Sequence, residues 1–183
     1  VEKAIRALDY SPNASARRLR TGKSRTIGFC TRDITNPLFS FMARTLQAVC
    51  EENKFNLLVS NAFDDPEKEQ DLARRFIEQS VDGLILGPST DDGGKIIELA
   101  TSHGIPIVVL DRQAPAPAIR VMSKHVVGMR QATKYLLDLG HRDIALITGD
   151  VAHMAGRGRI EGFRRAFKER GITVPEDRIL VGD

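Results

Sequence analysis

The 183-residue sequence lacks tryptophan and has only two cysteines, two tyrosines and eight phenylalanines. Cys30 lies in an apolar run and Cys50 on a predicted helix, so we expect two buried thiols rather than a disulfide framework. The four histidines never fall at the spacing of metal ligands, which predicts no metal site. They are expected in loops or at the surface: His103, His125, His141 and His153.

Long apolar stretches are also missing, because no run approaches the roughly 20 residues that span a bilayer. The amino terminus reads as an ordinary polar helix rather than a secretory signal, so the expected location is cytoplasmic. No G-x-S-x-G elbow occurs, and the run GPSTDDGGK at 87–95 fails the phosphate-loop pattern. The run AGRGRIEG at 155–162 misses the dinucleotide fingerprint by one residue. The sequence therefore predicts neither an enzyme nor a bound cofactor.

Positive charge is concentrated at one end of the chain. The first 25 residues contain seven basic and two acidic residues, a net charge of +5, whereas the whole chain carries +3. The remaining residues are therefore slightly acidic. A basic arm on a nearly neutral body is typical of a nucleic-acid contact, and a solvated basic tail is the alternative that charge alone leaves open.

Short apolar runs recur along the rest of the chain, at 26–30, 56–60, 83–87, 106–110 and 144–149. None alternates with polar residues, which predicts strands covered on both faces. Amphipathic segments separate the runs and predict helices with one buried face. This order favours an α/β fold with parallel sheets flanked by helices. Two of the helix faces expected to be buried are Leu38, Met42, Leu46 and Val49, and Ala132, Tyr135, Leu136 and Leu139.

Turn residues mark the predicted helix boundaries. Asn36–Pro37 and Asp65–Pro66 are typical helix starts, and Gly104, Gly140 and Gly171 follow predicted helix ends. In open parallel sheets ligands bind beyond the carboxyl ends of the strands. Candidate functional loops are therefore 33–37, 61–65, 88–92, 111–112 and 150–159.

Nine short segments carry a family resemblance that runs over the whole chain. They are YSPN (10–13), ARRL (16–19), TIG (26–28), DITNPLF (33–39), DPEKE (65–69), VDGLI (81–85), GIPIV (104–108), LGHR (139–142) and RIEGF (159–163). In this order and spacing the sequence resembles the lactose-repressor/galactose-repressor family of bacterial transcription regulators. Each segment alone is common, but the set together is specific.

The resemblance implies a helix-turn-helix headpiece, a hinge, and a two-lobed effector-binding core similar to periplasmic sugar-binding proteins. By this comparison, residues 1–25 are the end of the headpiece and the hinge, 26–122 the N-terminal lobe, and 123–183 an incomplete C-terminal lobe. The chain is thus expected to be truncated. A hinge helix would form on operator DNA and insert Leu19 into the minor groove. The implied DNA contacts are Asn13, Ala16, Arg17, Arg18, Leu19 and Arg20.

Carried over residue by residue, the resemblance implies that Asp111 accepts hydrogen bonds from effector hydroxyls and that Arg159 donates to them. Arg157 is a further candidate. Leu38 and Phe39 would form an apolar wall, although core packing explains Phe39 equally well.

The resemblance breaks at Lys124–His125, where the family usually has Asp and Asn. A lysine at the usual aspartate position replaces a negative charge with a positive one. This change favours an anionic effector such as a sugar acid or sugar phosphate. A surface lysine at a helix start is the alternative interpretation.

The implied function is an effector-responsive DNA-binding regulator, a repressor more often than an activator in this family. It would bind operator DNA and a sugar-like metabolite as a homodimer, pairing through the predicted helix at 38–53, in the bacterial cytoplasm at the nucleoid. The alternative is a small-molecule-binding protein or enzyme of the same two-lobed fold without DNA binding. The arginine-rich first 25 residues favour the regulator.

Overall fold

Helices alternate with parallel strands along the chain. The computed structural model describes residues 21–89 and 93–182. The predicted hinge contacts at 13–20 therefore lie outside the described residues. In chain order the elements are β1 Thr26–Thr31, α1 Pro37–Glu52, β2 Asn56–Asn61, α2 Pro66–Glu78, β3 Gly83–Leu86, α3 Gly94–Ser102, β4 Ile107–Leu110, β5 Ile119–Val121, α4 His125–Asp138, β6 Leu146–Thr148, α5 Met154–Glu169, a 3-10 helix Glu176–Arg178, and β7 Ile179–Val181.

The strands form two sheets. The first has the order β2-β1-β3-β4-β5, and the second pairs β6 with β7 in parallel. β1 runs parallel to both neighbours, with Ile27 opposite Leu57 on one side and Gly83 on the other. The predicted α/β class is confirmed, and each of the five apolar runs contains a strand. β5 and β7 were not predicted, since neither lies in one of the five apolar runs.

The predicted helix starts at Asn36 and Asp65 are confirmed. The Asn36 side chain accepts the Leu38 N–H at 3.0 Å, and the Asp65 carboxylate accepts two N–H groups at the start of α2 at 2.9 and 3.2 Å. A proline occupies the first turn of each helix, where its missing N–H needs no partner. These caps direct α1 and α2 away from the carboxyl ends of β1 and β2.

The chain divides into two compact units. The first comprises the described residues up to Leu110 and the segment Ala114–Ile119, and the second comprises Asp111–Gln113 and the residues from Arg120 onward. The core of the first unit includes Cys30, Phe76, Leu84, Leu86, Ile97 and Val109. The core of the second includes Leu137, Leu146, Ile160, Phe163 and Phe167.

Both thiols are buried and free, as predicted. Burial, with a smaller contribution from the nearby Glu69 charge, raises the pKa of Cys30 to about 12. The thiol of Cys30 therefore behaves as a small apolar core side chain at neutral pH.

Three buried glycines of α5 explain the run at 155–162. A Cβ on Gly162 would lie 2.4 Å from the Val126 carbonyl oxygen, and a Cβ on Gly156 would lie 2.3 Å from the Asp150 carbonyl oxygen. A Cβ on Gly158 would lie 3.0 Å from the His125 Cβ. The glycines therefore let the backbone of α5 approach α4 and the β6–α5 loop closely, which is a packing role within the second unit.

The predicted burial was wrong for the α4 face and only partly right for the α1 face. On α1, Met42 and Leu46 are half-buried, but Leu38 is 54% exposed and Val49 51% exposed. On α4, Tyr135 is 65% exposed and Leu139 59% exposed, whereas Thr133 and Leu137 are buried. An apolar stripe identifies a face that needs cover, but it does not identify which part of the molecule covers it.

Two strands are also less covered than predicted. β2 forms one edge of its sheet, and its residues are half-buried or exposed. In β6 the central Ile147 is 78% exposed, between two buried neighbours.

Candidate functional site

Asp111 follows β4 directly and is held in a rarely populated backbone conformation, with φ of +54°. Its carboxylate accepts the Ser123 N–H at 3.0 Å on Oδ1. The ring Nε2 of His125 lies 2.9 Å from Oδ1 and 2.7 Å from Oδ2. The side chains are 28% exposed for Asp111 and 13% exposed for His125. The pair therefore sits at a partly covered site within the second unit.

The environment of Asp111 favours its ionised form. Partial burial raises the pKa of the Asp111 carboxyl, but the Ser123 N–H, the His125 ring and the Arg112 charge together lower it by more. The net effect is a pKa below the usual value, so Asp111 is a carboxylate at neutral pH.

Asp111 is tied to the second unit through the backbone as well. Its N–H donates to the Val121 carbonyl at 2.7 Å, and the buried Arg112 donates back to the Asp111 carbonyl at 2.8 Å. Gln113 accepts a hydrogen bond from Arg120 at 2.9 Å. These bonds explain why residues 111–113 belong to the second unit although β4 belongs to the first.

The basic residues predicted to contact the effector differ in their side-chain hydrogen bonds. The Arg157 guanidinium donates to the carbonyl oxygens of Val151 and Ala152 at 2.9 and 2.7 Å, which closes the β6–α5 loop. Arg159 is half-buried, and within the described residues its guanidinium makes no hydrogen bond or ion pair. Lys124 is exposed at the start of α4, as a surface lysine would be. Within the described residues, Arg159 and Lys124 are therefore the two candidates whose charged groups have no partner, and Lys124 is the more exposed.

In the first unit, Leu38 is exposed and Phe39 is half-buried at the start of α1. A Cβ on Gly87 would lie 3.2 Å from the Phe39 Cε1 atom, so the ring packs against the backbone after β3. This contact favours the packing explanation for at least part of the Phe39 ring and leaves Leu38 accessible.

Sequence reasoning missed two hydroxyls at the carboxyl ends of β1 and β3. Thr31 and Ser89 are buried, and in the described part of the chain neither hydroxyl has a hydrogen-bond partner. The Ser89 N–H donates to the buried Glu69 carboxylate at 2.6 Å. Burial raises the pKa of Glu69, although the Ser89 hydrogen bonds partly oppose the shift. The only indication in the sequence was that Ser89 lies in 88–92, one of the candidate functional loops.

Asp82 has a role that the sequence did not reveal. Its carboxylate accepts the backbone N–H groups of Ser24 and Arg25, both at 2.9 Å, and the Ser24 hydroxyl at 3.1 Å. The Val-Asp-Gly segment of the resemblance therefore fastens the chain just before β1 to the turn before β3.

Residues 21–89 and 93–182 contain no cluster of three or more His, Cys, Asp or Glu that could hold a metal ion. Among the helices of these residues, none combines the length and apolar character needed to cross a membrane.

The parallel strands flanked by helices form an α/β core of the periplasmic-binding type. Residues 24–183 match the family described as periplasmic binding proteins and sugar binding domain of LacI family, and the chain belongs to this family.

Known relatives are transcription regulators. The chain is 36% identical over 185 residues to the HTH-type transcriptional repressor PurR of Vibrio parahaemolyticus, covering 100% of this chain and 55% of the relative. It is 32% identical to the ribose operon repressor of Escherichia coli K12, with 100% and 56% covered. The chain thus spans about half the length of these curated relatives.

A solved structure supports the same fold. The Cra transcriptional dual regulator from Pseudomonas putida, in complex with fructose 1-phosphate, is 26% identical with a TM-score of 0.77. The match covers 87% of this chain and 58% of that protein.

Proposed function

We propose that this protein is an effector-responsive DNA-binding transcription regulator, acting as a repressor in the bacterial cytoplasm at the nucleoid, and that it is not an enzyme. The relatives with these names support the class, and the +5 charge of the first 25 residues supports a DNA contact. The polar cluster around Asp111 supports effector binding in the core.

The observation that carries the proposal is the Asp82 clamp. A carboxylate that accepts two backbone N–H groups makes a stiff connection, because charge-assisted hydrogen bonds are stronger than neutral ones. Ser24 and Arg25 lie at the end of the basic arm, so the clamp joins that arm directly to the sheet. The clamp therefore fixes the last two residues of the arm to the turn before β3.

Within the arm, the proposed hinge helix contains Asn13, Ala16, Arg17, Arg18, Leu19 and Arg20. Eight residues are too few for a stable isolated helix, and clustered cations repel one another, so DNA phosphates would be needed to stabilise it. Leu19 is the only large apolar residue between Tyr10 and Ile27, which favours it as the side chain that wedges between bases.

For the effector we propose a sugar-like metabolite carrying a negative charge. Arg159 and Lys124 would supply cations, and the Cra relative, solved in complex with fructose 1-phosphate, supports a ligand of this class. Effector contacts by Arg157, Leu38 and Phe39 stay predictions. Pairing of two copies through α1 is also proposed, since its exposed apolar face includes Leu38, Phe41 and Val49.

To test the proposal, DNA duplexes that bind the protein are first selected from a random pool. Their bending is then measured by energy transfer between fluorophores at the two ends of the duplex. Binding should weaken with salt, and Leu19→Ala should reduce bending while effector affinity is unchanged. Leu139→Ala, an exposed leucine of α4, is the matched control and should have no effect.

If Leu19→Ala bends DNA as the wild type does, the proposed role of the hinge helix is wrong. If no salt-dependent DNA binding is found, the proposed regulator function is wrong. The effector is sought by thermal shift with fructose, fructose 1-phosphate and gluconate.

A further inference from the structure

The Asp111–His125 pair has a defined polarity. A carboxylate can only accept hydrogen bonds, so the ring nitrogen Nε2 that lies 2.9 and 2.7 Å from its oxygens must carry a proton. A distance of 2.7 Å is in the range of a hydrogen bond to an ionised acceptor, which here is the Asp111 carboxylate. The pairing also fixes the ring orientation, because Nε2 faces both carboxylate oxygens of Asp111.

Asp111 already accepts hydrogen bonds from two N–H donors. The Ser123 N–H donates to Oδ1, and the single proton on His125 Nε2 is shared between both carboxylate oxygens. Its left-handed backbone conformation and the Ser123 bond hold the carboxylate in place. These features suit a group that positions the His125 ring.

The second ring nitrogen of His125 is not used by the Asp111 pair. Within the described residues, Nδ1 of His125 makes no hydrogen bond. Gly158 of α5 packs against the His125 Cβ, and the next residue, Arg159, has a half-buried guanidinium that is unpaired in the same part of the chain. Lys124 precedes His125 at the start of α4.

We propose that His125 binds an anionic oxygen of the effector through Nδ1–H, and that Asp111 is a positioning residue for this ring rather than an acceptor of effector hydroxyls. The proposal rests on the effector site assigned above and deepens it. The shared ligand chemistry is a phosphate or carboxylate oxygen. In the bound state the ring would carry a proton on both nitrogens, with Nε2–H donating to Asp111 and Nδ1–H donating to the anionic oxygen.

The direct test observes the ring itself. Protein labelled with 15N-histidine is titrated with inorganic phosphate, gluconate and fructose, and the His125 nitrogens are followed by long-range 1H–15N NMR. We expect a protonated Nε2 before any addition, and a saturable change at Nδ1 with phosphate, with gluconate, or with both. The two anions distinguish the sources of the anionic oxygen, and fructose should produce no change. The exposed His103 and His141 are internal controls.

Variants separate contact from positioning. His125→Asn should weaken binding of the effective anion by about tenfold or more, the loss expected for one charge-assisted hydrogen bond. Asp111→Asn should abolish the Nδ1 response, because the ring loses the group that orients it. His141→Asn is the matched control and should bind as the wild type does.

An Nδ1 signal that responds to neither anion would overturn the inference, and this wild-type measurement does not depend on any variant folding. An Asp111→Asn variant with an unchanged Nδ1 response would overturn the positioning role. The regulator proposal fails separately, by an absence of salt-dependent DNA binding. If an uncharged ligand releases the protein from DNA, the regulator proposal stands but the proposed binding of an anionic oxygen by His125 is wrong.

Discussion

Gly162 offers the sharpest test of how the second unit is packed. A Cβ at this position would lie 2.4 Å from the Val126 carbonyl oxygen and 2.9 Å from the Met129 Cβ. Ordinary contact begins near 3.4 Å, so Gly162→Ala requires α4 and α5 to separate by roughly 1 Å. Because the obstacle is backbone, we expect the upper end of the overpacking range, about 3 kcal/mol.

Alanine also has a higher helix propensity than glycine, which returns about 1 kcal/mol. The expected net loss for Gly162→Ala is therefore about 2 kcal/mol of unfolding free energy. Gly128 is the matched control, since it lies in α4 with no atom within 4 Å of an added Cβ. Gly128→Ala should stabilise the protein by about 0.5–1 kcal/mol.

The assay is equilibrium unfolding in urea followed by circular dichroism, with the midpoint compared at constant slope. The two glycine-to-alanine variants should shift the midpoint in opposite directions. If Gly162→Ala is as stable as the wild type, the close approach of α4 and α5 is refuted. If Gly128→Ala destabilises equally, the loss would not report on the helix contact.

Three further outcomes are expected. Burial raises the pKa of Glu69, so the folded state binds its proton more tightly than the unfolded state does. The free energy of unfolding is therefore highest below the ordinary glutamate pKa. It falls as the pH rises through the raised pKa of Glu69. Unfolding measured as a function of pH should show no such fall in stability for Glu69→Gln. Glu67→Gln, at an exposed position of the same helix, should show the same fall as the wild type. The Cys30 thiol should react with a disulfide reagent only at the rate of unfolding, and rapid labelling of the native protein would contradict its burial. In sedimentation, Phe41→Asp on α1 should yield monomers while Tyr135→Asp, equally exposed at 65% on α4, should not; a Phe41 variant that still dimerises would reject α1 as the interface.

Much of the local structure could be predicted without coordinates. The apolar runs locate β1 to β4 and β6, because an uninterrupted apolar run bounded by turn residues is typical of a strand. Their coverage was not predicted correctly, since β2 is half-buried or exposed and the centre of β6 is exposed to solvent. Asn36 and Asp65 mark helix starts because a side-chain oxygen followed by proline satisfies the free N–H groups of a first turn. These are interactions between residues close in sequence, so the sequence itself contains the necessary information.

The candidate site was predictable only in part. The position of Asp111 after an apolar run indicated a polar group at a strand end, but its pairing with His125 joins residues 14 positions apart through a folded loop. Nothing in the spacing distinguished His125 from the other three histidines. The Asp82 clamp is similar, since it connects Ser24 to a turn 58 residues away.

The sequence by itself determined where strands and helices lie, which residue types end them, and which family the chain resembles. Tertiary structure alone decided which apolar faces are covered, as the exposed Leu38 and Tyr135 show. It also decided that the glycines from Gly156 to Gly162 serve helix packing. The physical reason is range: propensity and capping act within a few residues, whereas burial, close backbone approach and charge pairing depend on segments that only folding brings together.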